Sequence, residues 1–237
     1  IIHTEEAFLE GQLLLIDKPF RWTSFQVVNK IRWAIRKEFD IKKIKVGHAG
    51  TLDPLATGLM LICTGRMTKQ IEQFMGMPKT YTGSFRLGAT TPSYDLETSV
   101  SEPKPTGHIS AEMLEEVRAG FLGNIQQKPP IYAAIKKDGK RLYSLARAGK
   151  TIEIPSREAQ VTDFKLTDVK MPDVHFSVSC SKGTYIRSLA HDFGQKLGCG
   201  AHLTSLKRTA IGSYPLSAAL TLDVFLLSLI HISEPTR

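Results

Sequence analysis

The most informative stretch of the sequence is Gly47–Gly58, which reads GHAGTLDPLATG. Its glycines permit positive φ angles and close backbone approach, and Pro54 restricts Asp53 to an extended conformation. The apolar run Leu59–Cys63 follows directly and predicts a buried strand. The stretch therefore predicts a rigid loop that holds one carboxylate at the start of a strand. Such an aspartate suits a nucleophile or a single base, or else caps a backbone amide in a turn.

Hydrophobic periodicity predicts an irregular mixture of helices and strands. Apolar alternation predicts strands at Gln12–Asp17, Leu59–Cys63, Thr80–Leu87, Ile152–Ile154, Ala159–Leu166, His175–Cys180 and Leu203–Ile211. Helical spacing and capping residues predict helices at Phe25–Glu38, Thr68–Met75, Ser110–Phe121, Arg141–Ala148 and Thr184–Leu197. Several strands follow one another without a helix, which indicates an α+β fold. We expect a mixed, largely antiparallel central sheet flanked by helices and loops.

Two segments rich in loop-forming residues interrupt this pattern. Thr90–Gly107 is rich in Ser, Thr and Pro and predicts an exposed loop, and Gln126–Ala134 contains two consecutive prolines and predicts irregular structure.

The chain is basic, with 31 Lys and Arg against 23 Asp and Glu and a net charge of +8 over 237 residues. This excess favours a polyanionic partner such as nucleic acid, although a basic protein need not bind one. The basic residues concentrate in three groups that we expect to contact phosphates: Lys18, Arg36, Lys37, Lys42, Lys43 and Lys45; Lys136, Lys137, Lys140, Arg141, Arg147 and Lys150; and Lys207 with Arg208.

Cysteine spacing and hydropathy exclude several classes of protein. Cys63, Cys180 and Cys199 form no CxxC pair, and their odd number argues against a disulfide framework. His48 has no Cys/His cluster around it, so the sequence predicts no metal site and no cofactor. The apolar runs are shorter than the roughly 20 residues that a membrane span requires. We therefore expect a cytoplasmic protein that does not enter a membrane.

Beyond these patterns, GHAGTLDPLATG closely resembles the catalytic-aspartate motif of the TruB family of tRNA pseudouridine synthases. Further resemblances follow in the family's order over residues 11–223: Leu13–Ser24 (LLLIDKPFRWTS), Lys79–Tyr81 (KTY), Gln127–Lys136 (QKPPIYAAIK), Tyr143–Gly149 (YSLARAG), Ser181–Leu189 (SKGTYIRSL) and His202–Gly212 (HLTSLKRTAIG). The resemblance implies the pseudouridine synthase catalytic fold and a base-flipping mechanism.

The family resemblance also implies roles for individual residues. Asp53 would be the essential aspartate of uridine isomerisation, and Arg187 would pair with it and keep it ionised. Tyr81 would stack on the flipped base. The other predicted substrate-binding residues are Tyr185 in the same pocket, Leu206 as its apolar wall, His48 near the target nucleotide and Lys18 close to the RNA phosphates.

The implied reaction converts uridine 55 in the TΨC loop of tRNA to pseudouridine. It breaks the N1–C1′ bond, rotates the uracil and rejoins it through C5, which needs no metal, cofactor or redox change. The residues leave open whether Asp53 takes a proton from the sugar, giving a glycal, or attacks C1′ or C6. The implied partner is the T-arm stem-loop of tRNA, bound by a monomer. The alternative is a non-catalytic RNA-binding or tRNA-folding chaperone on the same scaffold.

The two ends of the sequence lead to expectations about domains. We expect a catalytic domain at residues 11–226. Residues 227–237 (LSLIHISEPTR) resemble a translated sequencing adapter, which predicts a non-native tail. The resemblance further implies a C-terminal RNA-binding domain of the PUA type, which we expect to be absent here, with weaker affinity for tRNA as the consequence.

Overall fold

A computed structural model describes residues 1–133, 136–137, 140–141 and 153–230 of the protein. The α-helices are α1 (Glu5–Glu10), α2 (Ser24–Glu38), α3 (Ile71–Met75), α4 (Ala111–Ala119), α5 (Ile186–Leu197) and α6 (Leu222–Ile230). The strands are β1 (Leu13–Lys18), β2 (Val46–His48), β3 (Ala56–Thr64), β4 (Lys79–Leu87), β5 (Gly123–Gln127), β6 (Lys136–Lys137), β7 (Lys140–Arg141), β8 (Arg157–Lys170), β9 (Asp173–Cys180), β10 (Ala201–Ile211), β11 (Tyr214–Pro215) and β12 (Leu220–Thr221). Short 3-10 helices lie at Gly65–Gln70 and Leu216–Ala218.

The chain forms two compact units. The first unit comprises Ile1–Tyr81 with Lys207–Arg237, and the second unit comprises Thr82–Leu206. Strands β4 and β10 contribute residues to both units.

In the first unit, β1 lies between β3 and β12. It pairs antiparallel with β3, from Leu13 opposite Cys63 to Lys18 opposite Gly58, and it pairs parallel with β12. Side chains alternate along β1, so that every second one is buried. This register places the end of β1 beside the start of β3, where the glycine-rich loop ends.

Helix α2 covers the first unit with one apolar face. Thr23 and Gln26 form a capping box at its N-terminus, with reciprocal side-chain to backbone hydrogen bonds. The buried face carries Val27, Val28, Ile31 and Ile35, and the helix packs against β2 and α6. The opposite face of the helix remains exposed to solvent.

In the second unit, β8 pairs antiparallel with both β5 and β9. Helix α5 buries Phe193, whose ring contacts Phe85, Phe121 and Phe164 with centroid separations of 4.8–6.1 Å. Because aromatic rings bury large areas, this cluster forms the core of the unit. The cluster fixes α5 and thereby the residues in its first turn.

The structure confirms the α+β fold class and a sheet that is mostly antiparallel. Strand β12 pairs parallel with β1, whereas β1–β3, β2–β3, β5–β8, β8–β9 and β10–β11 are antiparallel. The predicted elements at residues 12–17, 25–38, 59–63, 80–87, 159–166, 175–180, 184–197 and 203–211 are confirmed with small shifts at their ends.

Other sequence predictions require correction. Irregular structure was expected throughout 126–134, but β5 extends to Gln127 because it pairs with β8. Glu153 and Ile154 are not part of a strand. Arg141 lies in β7 rather than in a helix, and the remainder of the helix predicted to Ala148 lies outside the described residues.

The segments α1, β2, β5, β6, β11, β12 and α6 were not predicted. They are short or lie near the chain ends, where periodicity gives a weak signal. The expected domain boundary after residue 226 falls inside α6, which buries Leu222, Phe225 and Leu229. Residues 231–237 of the expected tail lie outside the described residues. Among the helices in the described ranges, none is long and apolar enough to cross a membrane.

Candidate active site

Asp53 lies in the loop between β2 and β3, and hydrogen bonds to neighbouring elements fix this loop. Ser24, the first residue of α2, accepts from the backbone N–H of Leu52 at 2.9 Å and donates to the carbonyl of Leu52 at 3.1 Å. The Leu52 side chain is buried, whereas Asp53 is partly exposed. The backbone N–H of Ala56 donates to the Asp53 carbonyl at 3.0 Å. The loop therefore presents the carboxylate from an anchored backbone.

Lys18, the last residue of β1, anchors the loop through hydrogen bonds. Its side chain is fully buried, and Nζ donates to the carbonyls of Pro19 at 3.0 Å, Trp22 at 2.6 Å and Pro54 at 3.3 Å. Burial lowers the pKa of Lys18 to about 8, although the negative charges of Asp53 and Asp17 oppose the change. The ammonium group thus joins the 19–22 turn to the loop at Pro54. The expected phosphate contact of Lys18 is wrong for this structure, since all three donor positions face inward.

Arg208 holds the same loop from β10. It is 1% exposed, with Nε donating to the Leu59 carbonyl at 2.8 Å and Nη2 to the Gly50 carbonyl at 3.1 Å. The expectation that Arg208 contacts phosphates therefore also fails, whereas Lys207 beside it is exposed. Gly58 makes this packing possible: it has φ +106°, and a Cβ there would lie 2.3 Å from the Arg208 carbonyl oxygen. The glycines at 50 and 58 confirm the predicted positive φ angles.

His48 and Tyr81 complete the predicted residues of the first unit. His48 ends β2, and burial together with the charge of Arg208 lowers its pKa below the ordinary 6.5, which favours the neutral imidazole. Its Nδ1 is buried without a hydrogen-bond partner among the described residues. Tyr81 lies in β4 and is 8% exposed.

In the second unit, Arg187 occupies the first turn of α5 and is 3% exposed. Its Nη1 donates to the Ser93 carbonyl at 3.2 Å, and its Nε lies 4.0 Å from Asp95 Oδ2. Asp95 is itself buried and accepts from the Ser93 hydroxyl at 2.6 Å and the backbone N–H of Glu97 at 3.0 Å. A buried guanidinium thus lies beside a buried, hydrogen-bonded carboxylate that compensates its charge, while the Ser93 carbonyl orients it.

Asp95 was missed because the segment Thr90–Gly107 was predicted to be an exposed loop. Thr91, Ser93 and Asp95 are all buried there. These short polar residues occupy every second position, and this spacing is typical of a segment with one buried side. The spacing could therefore have indicated that Asp95 is buried.

The backbone around the start of α5 is held by Gln127, the last residue of β5, and by Lys128, which follows it. Gln127 receives a hydrogen bond from the Tyr185 N–H at 3.0 Å and donates to the Tyr185 carbonyl at 3.2 Å. Ser188 donates to the Lys128 carbonyl at 2.7 Å. Leu206, on β10, is 9% exposed. The hydrogen bonds give Tyr185 and Arg187 a fixed backbone.

The predicted site residues therefore fall into two groups. Lys18, His48, Asp53 and Tyr81 belong to the first unit, and the glycine-rich loop brings the first three into one anchored region. Tyr185, Arg187 and Leu206 belong to the second unit. Within the described part of the chain, no group of three or more His, Cys, Asp or Glu side chains is arranged to hold a metal ion.

The sequence matches the models of one class of protein. A model of the TruB family pseudouridylate synthase N-terminal domain matches residues 36–186, and a model of the tRNA pseudouridylate synthase B C-terminal domain matches residues 187–234. The chain therefore belongs to the TruB family of pseudouridylate synthases.

Individual relatives agree with this assignment. A protein of Flavobacterium johnsoniae named tRNA pseudouridine synthase B is 55% identical over 223 residues, covering 94% of this chain and 97% of the relative. A protein of the same name from Phocaeicola vulgatus is 50% identical over 218 residues, covering 92% and 93%. Among solved structures, a chain of a Cbf5-Nop10-Gar1 complex has a TM-score of 0.71 at 26% identity; the match covers 97% of this chain and 59% of that one.

Proposed function

We propose that this protein is an isomerase that converts uridine to pseudouridine in tRNA, at uridine 55 of the TΨC loop, with Asp53 as its essential carboxylate. The observation that carries the proposal is the anchored loop at Asp53, in a chain half identical to relatives named tRNA pseudouridine synthase B. The reaction breaks N1–C1′ and C5–H and forms C5–C1′ and N1–H within one nucleotide, so its atoms balance without a second substrate or an electron carrier.

The anchored backbone supports a role for Asp53 that depends on position. A carboxylate that attacks carbon or removes a proton must be held about 3–3.5 Å from its target, and a misplacement of about 1 Å can slow the reaction about a hundredfold. The hydrogen bonds from Lys18, Ser24 and Arg208 leave the loop little freedom. All three routes for Asp53, glycal formation or attack at C1′ or C6, require this placement.

The remaining residues receive supporting roles in the proposal. Tyr81 stacks on the flipped uracil, Tyr185 and Leu206 line its pocket, and His48 approaches the target nucleotide. Arg187 keeps the role of partner to Asp53 that the family resemblance implies. Asp95 is an additional positioning residue, because its carboxylate compensates the charge of Arg187.

The proposal extends to the setting of the reaction. We propose that the protein acts as a monomer in the cytoplasm, with the T-arm stem-loop as the part of tRNA that it binds. Residues 11–226 remain our proposed catalytic domain.

The proposal is tested by mapping pseudouridine on an unmodified tRNA transcript after incubation with the protein. We expect one pseudouridine at position 55 and none in a transcript that carries cytidine there. Modification elsewhere would overturn the assignment of the site. RNA annealing by a folded protein that forms no pseudouridine would favour the non-catalytic chaperone instead.

A further inference from the structure

The solvent-exposed side of α2 and the turn before it combine exposed aromatic rings with positive charge. Residues 18–37 contain six Lys or Arg and no Asp or Glu. Phe20, Phe25 and Trp33 are 53%, 68% and 54% exposed. The basic residues beside these rings, apart from the buried Lys18, include Arg21, Lys30 and Lys37. We call this surface the α2 platform and define it as these six residues: Phe20, Arg21, Phe25, Lys30, Trp33 and Lys37.

Helical spacing places four of the platform residues, Phe25, Lys30, Trp33 and Lys37, on one side of α2. Phe25 and Trp33 are eight residues apart, which corresponds to about 12 Å along a helix. Lys30 and Lys37 flank Trp33 at i−3 and i+4, and their Nζ atoms lie 4.9 and 5.0 Å from the centre of its ring. The indole thus holds two ammonium groups at a defined place on the surface.

At the other end, the platform is connected directly to the glycine-rich loop. The backbone N–H of Arg21 donates to the Pro54 carbonyl at 2.8 Å, and the start of α2 is tied to Leu52 through Ser24. Arg21 adopts φ 67°, a left-handed conformation that residues with a side chain rarely adopt. Its guanidinium lies 5.4 Å from the centre of the Phe20 ring. The turn therefore displays a cation and an aromatic ring beside the loop that carries Asp53.

We propose that the α2 platform is a second RNA-binding surface, which contacts the substrate outside the flipped nucleotide. Arg21, Lys30 and Lys37 contact backbone phosphates, Phe20 and Phe25 stack on an unpaired base, and Trp33 positions the two lysines. Charge complementarity selects RNA as the partner, because a protein surface would need carboxylates to match these cations, whereas a nucleotide offers both an anionic phosphate and a flat ring. This inference rests on the proposed function for the identity of the RNA.

The test compares Lys30→Gln/Lys37→Gln with a matched control, Lys165→Gln/Lys170→Gln. The control removes the same charge from exposed lysines of β8 that lie beside Asp163 and Asp168. Dissociation constants for an unmodified tRNA transcript are measured from about 50 to 200 mM salt. We expect the slope of log Kd against log salt to fall by about 2 in the platform variant, one for each lysine that no longer neutralises a phosphate. The slope should stay unchanged in the control.

Two further measurements distinguish failure of the platform proposal from failure of the proposed function. Trp33→Phe, which keeps a ring, should bind RNA more tightly than Trp33→Ala, and KM for pseudouridine formation should rise about tenfold in the double lysine variant. The double lysine variant could instead keep the parental KM, Kd and salt slope while it still forms pseudouridine. That result would overturn the RNA-binding role of the platform and leave the proposed function intact. Absence of pseudouridine with the unaltered protein would contradict the proposed function, while loss of RNA affinity in the platform variant would still support the platform.

Discussion

The two units contain buried cations with different surroundings. In the first unit, Lys18 and Arg208 donate to backbone carbonyls at Pro54 and Gly50, on either side of Asp53. In the second unit, Arg187 lies beside a buried carboxylate, Asp95. A cation that donates to carbonyls fixes the shape of a backbone, whereas one beside a carboxylate also has its charge compensated. We infer that the site residues of the first unit depend on the shape of the loop, and that those of the second unit depend on the charge beside Arg187.

The largest effect should come from disturbing the shape of the first unit. Gly58→Ala places a Cβ 2.3 Å from the Arg208 carbonyl oxygen, so β10 or the loop must shift. We expect a loss of about 4 kcal/mol in the free energy of unfolding, measured by urea denaturation. Gly183→Ala is the matched control: Gly183 has φ +75°, but nothing lies within 4 Å of its added Cβ. It should cost only about 1 kcal/mol. Equal losses would contradict the importance of this close contact.

Removing the carboxylate in the second unit tests the role of charge. Asp95→Asn keeps the shape of the side chain but leaves Arg187 beside a neutral amide. We expect the free energy of unfolding to fall by about 3 kcal/mol and the rate at saturating tRNA to fall at least about tenfold, with little change in KM.

Asp173→Asn is the control for that variant, because Asp173 pairs with Arg86 at 2.8 Å on the surface, where the two side chains are 33% and 51% exposed. Solvent screening limits its cost to about 1 kcal/mol or less. If both variants lose the same small amount, charge compensation at Arg187 is not what Asp95 provides.

The smallest effect is a change with pH at Lys18. Its pKa is about 8 in the folded protein against an ordinary 10.5, so the unfolded chain binds more protons between these values. This group therefore makes the free energy of unfolding rise as the pH increases from 8 towards 10.5.

Lys18→Met lacks this pH-dependent contribution. Its free energy of unfolding should be about 1–3 kcal/mol lower at pH 7, because the three carbonyl partners of Lys18 lose their donor. The difference between parent and variant should grow between pH 7.5 and 9.5 in urea denaturation. A difference that shrinks with pH would contradict this origin.

Sequence reasoning located the loop and most of the longer elements because those depend on local patterns. It misplaced Lys18 and Arg208 because basic residues are usually exposed. In both cases the alternation contained the answer: Lys18 follows the buried Leu14 and Ile16 at every second position, and Arg208 follows Leu206 in the same way. Burial of a charge depends on carbonyls supplied by distant segments, and a linear pattern cannot reveal these.

The central claim is that the anchored loop exists to present Asp53 to the target uridine. The most direct test is single-turnover formation of pseudouridine at position 55 by Asp53→Asn, with the exposed Asp168→Asn as the control and the affinity for the transcript measured alongside. We predict that Asp53→Asn lowers the rate by at least about a thousandfold while still binding the transcript, and that Asp168→Asn retains the parental rate. Pseudouridine formed at the parental rate by Asp53→Asn would contradict the account.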